Sequence, residues 1–138
     1  MCRIILARAA GGLVFITLGW ATATGQVGRD WKTQTRVYSD PVTGVEIREL
    51  TRSPAISDNL YYHFSNFTAD NRHLIFVCNL PGSTQIFRAD VDAGRLFQLT
   101  EGDGINSRSA CPDPNVARRI YHLRGPDVFA LDIIDFTT

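Results

Sequence analysis

Short apolar stretches alternate with turn-forming residues along most of the chain, and past residue 23 no segment keeps an i, i+3, i+4 apolar spacing for three helical turns. The pattern predicts strands. Arg36-Val37-Tyr38 and Val45 to Thr51 flank Ser39-Asp40-Pro41-Val42-Thr43-Gly44, where Pro sets φ and Gly supplies a positive one, so the pair is expected as an antiparallel hairpin. Four further runs follow a polar crossing loop at Arg52 to Asn59. Tyr61 to Phe67 is aromatic-rich, His73 to Cys78 is nearly all apolar, Thr84 to Val91 alternates, and Arg95 to Thr100 closes the set. Their separators are Thr68-Ala69-Asp70-Asn71, Asn79 to Ser83 and Asp92-Ala93-Gly94.

This order then begins again. Ser107 to Cys111 corresponds to the first run, Arg119 to Leu123 to His73 to Val77, and Val128 to Ile133 to Ile86 to Val91, at a spacing of about 42 to 46 residues. The hairpin is repeated as well: Asp40…Gly44…Leu50-Thr51 returns as Asp90…Gly94…Leu99-Thr100. A unit of four short strands repeated at this period is the signature of a propeller blade, which cannot bury its faces alone. The expected fold is all-β, an incomplete β-propeller of about two to three four-stranded antiparallel blades spanning residues 36–138.

Residues 1–23 differ in kind. Arg3 and Arg8 precede an apolar run from Ala9 to Ala21, and Ala21-Thr22-Ala23 offers the small residues of a cleavage site, so a signal peptide and an exported, periplasmic or extracellular protein are expected. A retained anchor is the competing reading, against which the run is shorter than the ~20 residues that cross a bilayer. With the leader removed, no stable membrane anchor is expected. Residues 24–35 are mostly polar, with Trp31 as their only large apolar side chain, and are expected as a linker.

Composition narrows the functions only modestly. Fourteen basic and fourteen acidic residues in 138 are mixed along the chain, so no basic footprint for nucleic acid is present. Cleavage would leave Cys78 and Cys111, which either pair in an oxidising compartment or sit as separate small apolar residues on their own strands. No CxxC or Cys/His spacing suggests a metal site.

The run Asp40-Pro-x-Thr-Gly-x-Glu-x-x-x-Leu-Thr51, followed by Asn59-Leu-Tyr-Tyr-His-Phe64 and Phe67-Thr-Ala-Asp-Asn-Arg-His-Leu-Ile-Phe76, resembles the N-terminal part of the oligogalacturonate lyases. The later Gln85-Ile-Phe-Arg-Ala-Asp90 is shared with TolB-like, WD40-like propellers in general. Asn71 stands where the repeat more commonly has Gly, and Asn is the next best residue for a left-handed turn. The resemblance covers Trp31 to about Ile133 and the first third of a typical, seven-bladed family member. It implies β-elimination on short galacturonates in pectin degradation. A base there removes the proton α to a carboxylate, and Mn(2+) or another divalent metal neutralises the developing charge. The family's base and metal ligands are mainly histidines of later blades, so none is assigned in this chain.

What the chain itself offers is a set of candidate sugar contacts. His63 is expected on the innermost strand of the first full blade, just after the crossing loop, with Asn59 and Tyr62 beside it, where a propeller's ligand mouth lies. In the functional reading Tyr62 stacks on a sugar while Asn59 and His63 hydrogen-bond to it. In the alternative, Tyr61 and Phe64 fill the space between blades and His63 is structural. Arg108 begins the next inner strand, where its planar donor fork suits a uronate carboxylate; otherwise it is an ordinary surface charge. His73 and His122 are expected to be structural or surface residues.

Three functions are thus open: an exported oligogalacturonate lyase or its N-terminal portion, a non-catalytic TolB-like scaffold, or an inactive product. The expected partner is an oligogalacturonide, with self-association possible through open blade edges.

Overall fold

The computed structural model describes residues 27–31, 35–52 and 56–133; the expected leader at 1–23 and the last residues, 134–138, lie outside them. Among the described residues nine strands form three antiparallel sheets in chain order. Sheet I pairs β1 (Arg36–Ser39) with β2 (Glu46–Glu49). Sheet II has the order β3 (Ser57–Asp58), β4 (His73–Cys78), β5 (Gln85–Asp90), β6 (Leu96–Gln98). Sheet III has β7 (Cys111–Pro112), β8 (Arg119–Arg124) and β9 (Asp127–Asp132). Among the described residues there is no helix.

The repeated hairpins have the same backbone geometry. Gly44 N–H donates to Asp40 C=O and Asp40 N–H to Val45 C=O, and Gly94, Asp90 and Arg95 make the same two bonds in the second copy. Both glycines have positive φ, 72° and 65°. The acid that opens each copy does different work. Asp40 Oδ1 accepts from Val42 N, Thr43 N and Thr43 Oγ1, which holds its carboxyl below the usual range. Asp90 instead lies 3.0 Å from His73 Nδ1 on the neighbouring strand. The closing threonine of the second copy is buried: Thr100 Oγ1 accepts from Ile86 N and donates to Gln85 Oε1, while Gln85 Nε2 donates to Gly102 C=O. A buried amide with this many partners avoids the cost of an unmade hydrogen bond.

Alternation along β4 and β5 divides the core into two layers, one on each face of sheet II. Ile75, Val77 and Ile86 face one way and meet Leu60, Leu99, Ala110, Ile120 and Ile133. Phe76, Cys78, Phe87 and Ala89 face the other and meet Leu96, with Trp31 and Leu50 packed against them. Each fully buried Ile or Phe contributes about 1.5–3 kcal/mol, so these two layers hold the sheets face to face. Sheet II is the centre of the molecule.

Residues 27–31, within the segment expected as a linker, run along the outer edge of β6. Trp31 N–H donates to Leu96 C=O, Gly28 N–H to Gln98 C=O, and Asp30 pairs with Arg95 at 2.9 Å. The Trp31 ring meets Phe87 edge-on at 6.2 Å. That coverage leaves no bare edge on sheet II at β6.

The innermost strands depart from the expectation drawn from the sequence. Ser57 faces Cys78 and Asp58 faces Val77. Continuous pairing would bring Tyr61 opposite Leu74, yet Phe67 stands there, six positions further on. The aromatic run is therefore looped out of the sheet rather than being its first strand. Sheet III does the same on a smaller scale. Pairing carried back from Cys111–Tyr121 would put Arg108 opposite Arg124, but Ile105 is there, so three residues are looped out. The turn after the first excursion has the predicted chemistry: Asn71 has φ 57°, and Asp70 Oδ1 accepts from Thr68 Oγ1 and Arg72 N.

Candidate functional site

The two excursions place most of the candidate contacts. In the first, Asn66 Nδ2 donates to Asn59 Oδ1 at 3.2 Å across the neck, so Asn59 fastens the loop that the other candidates ride on. Phe64 N–H donates to Tyr61 C=O, a turn that throws Tyr62 and His63 to the tip. Leu60 alone of this stretch is buried in the core, at 4% exposure, and anchors the excursion between sheets II and III. His63 is thus at a turn and not on the innermost strand, because the strand ends at Asp58.

The tip is a cluster of exposed rings. Tyr62 is 78% exposed, its ring 4.5 Å from that of Tyr61 and 4.1 Å from the imidazole of His63. The Tyr61 hydroxyl donates to that of Tyr62 at 3.2 Å, which raises the Tyr61 phenol above its ordinary pKa while the charge of Arg108 draws it down. Tyr61 and Phe64 are surface rings, and Leu60 does the filling between sheets that the alternative reading gave to them. Phe67 is also exposed, at the foot of the loop.

The second excursion, Asn106 to Ser109, is a turn closed by Ser109 N–H donating to Asn106 C=O and by Arg108 N–H donating to Asn106 Oδ1. Arg108 is exposed, on the loop that precedes β7, and its charge acts on the Tyr61 phenol of the first excursion. The guanidinium of the second loop is within electrostatic reach of the aromatic tip of the first. Aromatic faces are electron-rich and take the C–H groups of a sugar ring, while a guanidinium takes a carboxylate through paired N–H donors. The arrangement suits an acidic sugar.

The other histidines serve the framework. His73 is half-buried against Asp90. His122 is buried, stacked on Phe129 with centroids 5.5 Å apart, and burial lowers its pKa, with Arg124 adding to the effect. Among the described residues Cys78 and Cys111 are free thiols; Cys78 is buried and accepts a hydrogen bond from Ser57 Oγ, and Cys111 is half-buried in sheet III.

Among the described residues no three His, Cys, Asp or Glu side chains come together as a metal site. A divalent ion has no ligand set in this part of the molecule, and no chemical step through one is assigned to it.

The excursions follow from the register of the inner strands, a tertiary property that the local sequence does not carry. Asn59 and Ser65-Asn66, turn-forming residues on both sides of an aromatic run, were the available signal.

No family model matches the chain. Over 70 residues, 51% of this chain, it is 33% identical to an oligogalacturonate lyase of Dickeya dadantii (strain 3937), and the match spans 18% of that relative. Its fold is similar to part of the crystal structure of oligogalacturonate lyase from Vibrio parahaemolyticus, with a TM-score of 0.66 at 20% identity over 80% of this chain and 30% of that one. It is similar also to an oligogalacturonate lyase in complex with manganese, with a TM-score of 0.65 at 22% identity over 78% of this chain and 29% of the other. Sequence and structure neighbours alike point to the oligogalacturonate lyases, over part of this chain and less than a third of the length of each neighbour.

Proposed function

We propose that this chain forms part of a β-propeller of the oligogalacturonate lyase kind and that its two inner-strand excursions bind an oligogalacturonide. The observation that carries the reading is the exposed Tyr61–Tyr62–His63 ring cluster, with the charge of Arg108 acting on it from the next loop, within a chain whose neighbours are lyases of that sugar. The rings supply a stacking face, and Arg108 supplies the positive charge for a uronate carboxylate. Asn59 contributes by fastening the loop through Asn66.

The chain's part is binding and orientation. A β-elimination needs a base beside the α-proton and a cation on the carboxylate. Of the described histidines, only His63 stands in the site. Cleavage therefore belongs to a propeller that adds further residues to this platform, with manganese as the cation that one solved neighbour carries. Export through the leader at 1–23 is part of the same proposal, checked by sequencing the N-terminus of protein recovered from the periplasm of an expressing cell.

Calorimetric titration of the 138-residue chain with digalacturonate tests the binding. Saturable heat that weakens with salt, and a weaker response to neutral digalactose, are expected. Equal binding of the neutral and acidic disaccharides, or none of either, would overturn the reading.

A further inference from the structure

Beside the aromatic tip a cleft of about 350 Å³ opens between sheets II and III, a volume at the small end of ligand sites. Phe64 and Phe67 of the first excursion form one wall, and Pro112 and Pro114 of the next unit form the other. His63 and Asn71 add polar groups. Among the described residues no Asp, Glu, Lys or Arg lines it.

We infer that this cleft is a second sugar subsite, continuous with the platform and holding the neighbouring ring of the same oligosaccharide by its faces and hydroxyls. The inference rests on the proposed function. His63 joins the two places, since its imidazole is stacked against Tyr62 at 4.1 Å and also lines the cleft. A chain that lies over Tyr61 and Tyr62 and passes His63 enters between Phe67 and Pro112. Phe67, 43% exposed, and Phe64, also 43% exposed, present aromatic surface that no core layer covers. The lining separates the two subsites chemically: Arg108 serves the carboxylate of the ring on the platform, whereas the phenyl rings, prolines and Asn71 of the cleft serve a ring's faces and hydroxyls and leave its carboxylate to water.

Cys111 also lines the cleft, while Cys78 is 1% exposed in the opposite core layer, so the protein carries both a reporter and a control. The test measures alkylation of the two thiols in the 138-residue chain by mass spectrometry, with galacturonic acid or trigalacturonate at matched occupancy, beside calorimetric affinities for both sugars. Trigalacturonate is expected to slow alkylation of Cys111 severalfold, the monomer is not, and Cys78 stays unmodified throughout. Affinity is expected to rise about tenfold from monomer to trimer, the scale of holding one of the two added rings on an aromatic face. Phe67→Ala removes that gain; Phe64→Ala on the same wall serves if the first variant does not fold. Length-independent affinity, or a Cys111 that reacts at the same rate under saturating trimer, overturns the subsite while leaving the platform intact. Failure of every galacturonide to bind overturns both.

Discussion

Arg48 lies over Gly94: its Nη1 donates to the carbonyls of Val91 at 2.6 Å and Asp92 at 2.8 Å, and its Cδ stands 3.1 Å from where a Cβ of residue 94 would be. The first hairpin is thereby hooked onto the turn of its own repeat.

The two copies of that turn make a matched experiment. Gly44 and Gly94 have similar positive φ, but nothing lies within 4 Å of a Cβ at residue 44. Gly44→Ala should cost about 1–2 kcal/mol for the left-handed backbone alone. Gly94→Ala should cost about 1 kcal/mol more, because Arg48 must move from two carbonyl partners. Urea unfolding of the two variants measures the difference. Equal losses would show that Arg48 swings clear freely and that the hook contributes little.

Asn71 carries the same conformation without a glycine, at φ 57°. Asn71→Gly should leave stability within a few tenths of a kcal/mol of the parent, and Asn71→Ala should lower it by about 1 kcal/mol. Thermal unfolding decides between this and a side-chain role: if glycine proves as damaging as alanine, the Asn71 side chain matters more than its backbone.

Turns such as these were legible in the sequence because their chemistry is local: Asp40 with Gly44, Asp90 with Gly94 and Asn71 after Asp70 each fix φ where they stand. β4 and β5 were legible because a strand buried on both faces must be apolar at nearly every position. The inner strand was not. Tyr61 to Phe67 has strong strand propensity, but β4 is already paired by Ser57 and Asp58 at one end and bridged by Phe67 at the other, and only the leftover length loops out. Register is a tertiary property, so the platform could be named residue by residue without its shape being foreseen. Tyr62, His63 and Arg108 were visible as residue types after a crossing loop. The Asn59–Asn66 neck and the approach of Arg108 to Tyr61 depend on two loops from different sheets.

Burial gives the fold a pH dependence through His122. Its folded pKa is depressed, so the neutral ring is favoured in the native state, whereas the unfolded chain takes up a proton near pH ~6.5. Below that pH the unfolded state binds more protons and stability falls; above it this contribution is fully present. The melting temperature should therefore decline from pH 7.5 to pH 5. His122→Phe keeps a ring against Phe129 and should flatten that decline. An unchanged slope in the variant would assign the pH dependence elsewhere.

Arg108 offers the sharpest separation between a surface charge and a ligand contact. It is exposed, and its backbone is fixed by Asn106, so removing its side chain beyond Cβ should leave the turn and the unfolding curve unaltered. An exposed ion pair is worth up to about 1 kcal/mol, so Arg108→Ala should weaken digalacturonate binding about fivefold at low salt. Arg108→Lys keeps the charge but loses the planar fork, and its affinity should fall between the two. The salt dependence divides the contributions further: the parent should lose affinity as ionic strength shortens the Debye length from about 30 Å to 8 Å, and the alanine variant should lose much less. Tyr62→Ala should act in the complementary way, lowering affinity for neutral and acidic sugars alike while keeping the salt slope of the parent. If Arg108→Ala binds with parental affinity and parental salt dependence, the guanidinium is a solvated surface group and the carboxylate is recognised by some other residue.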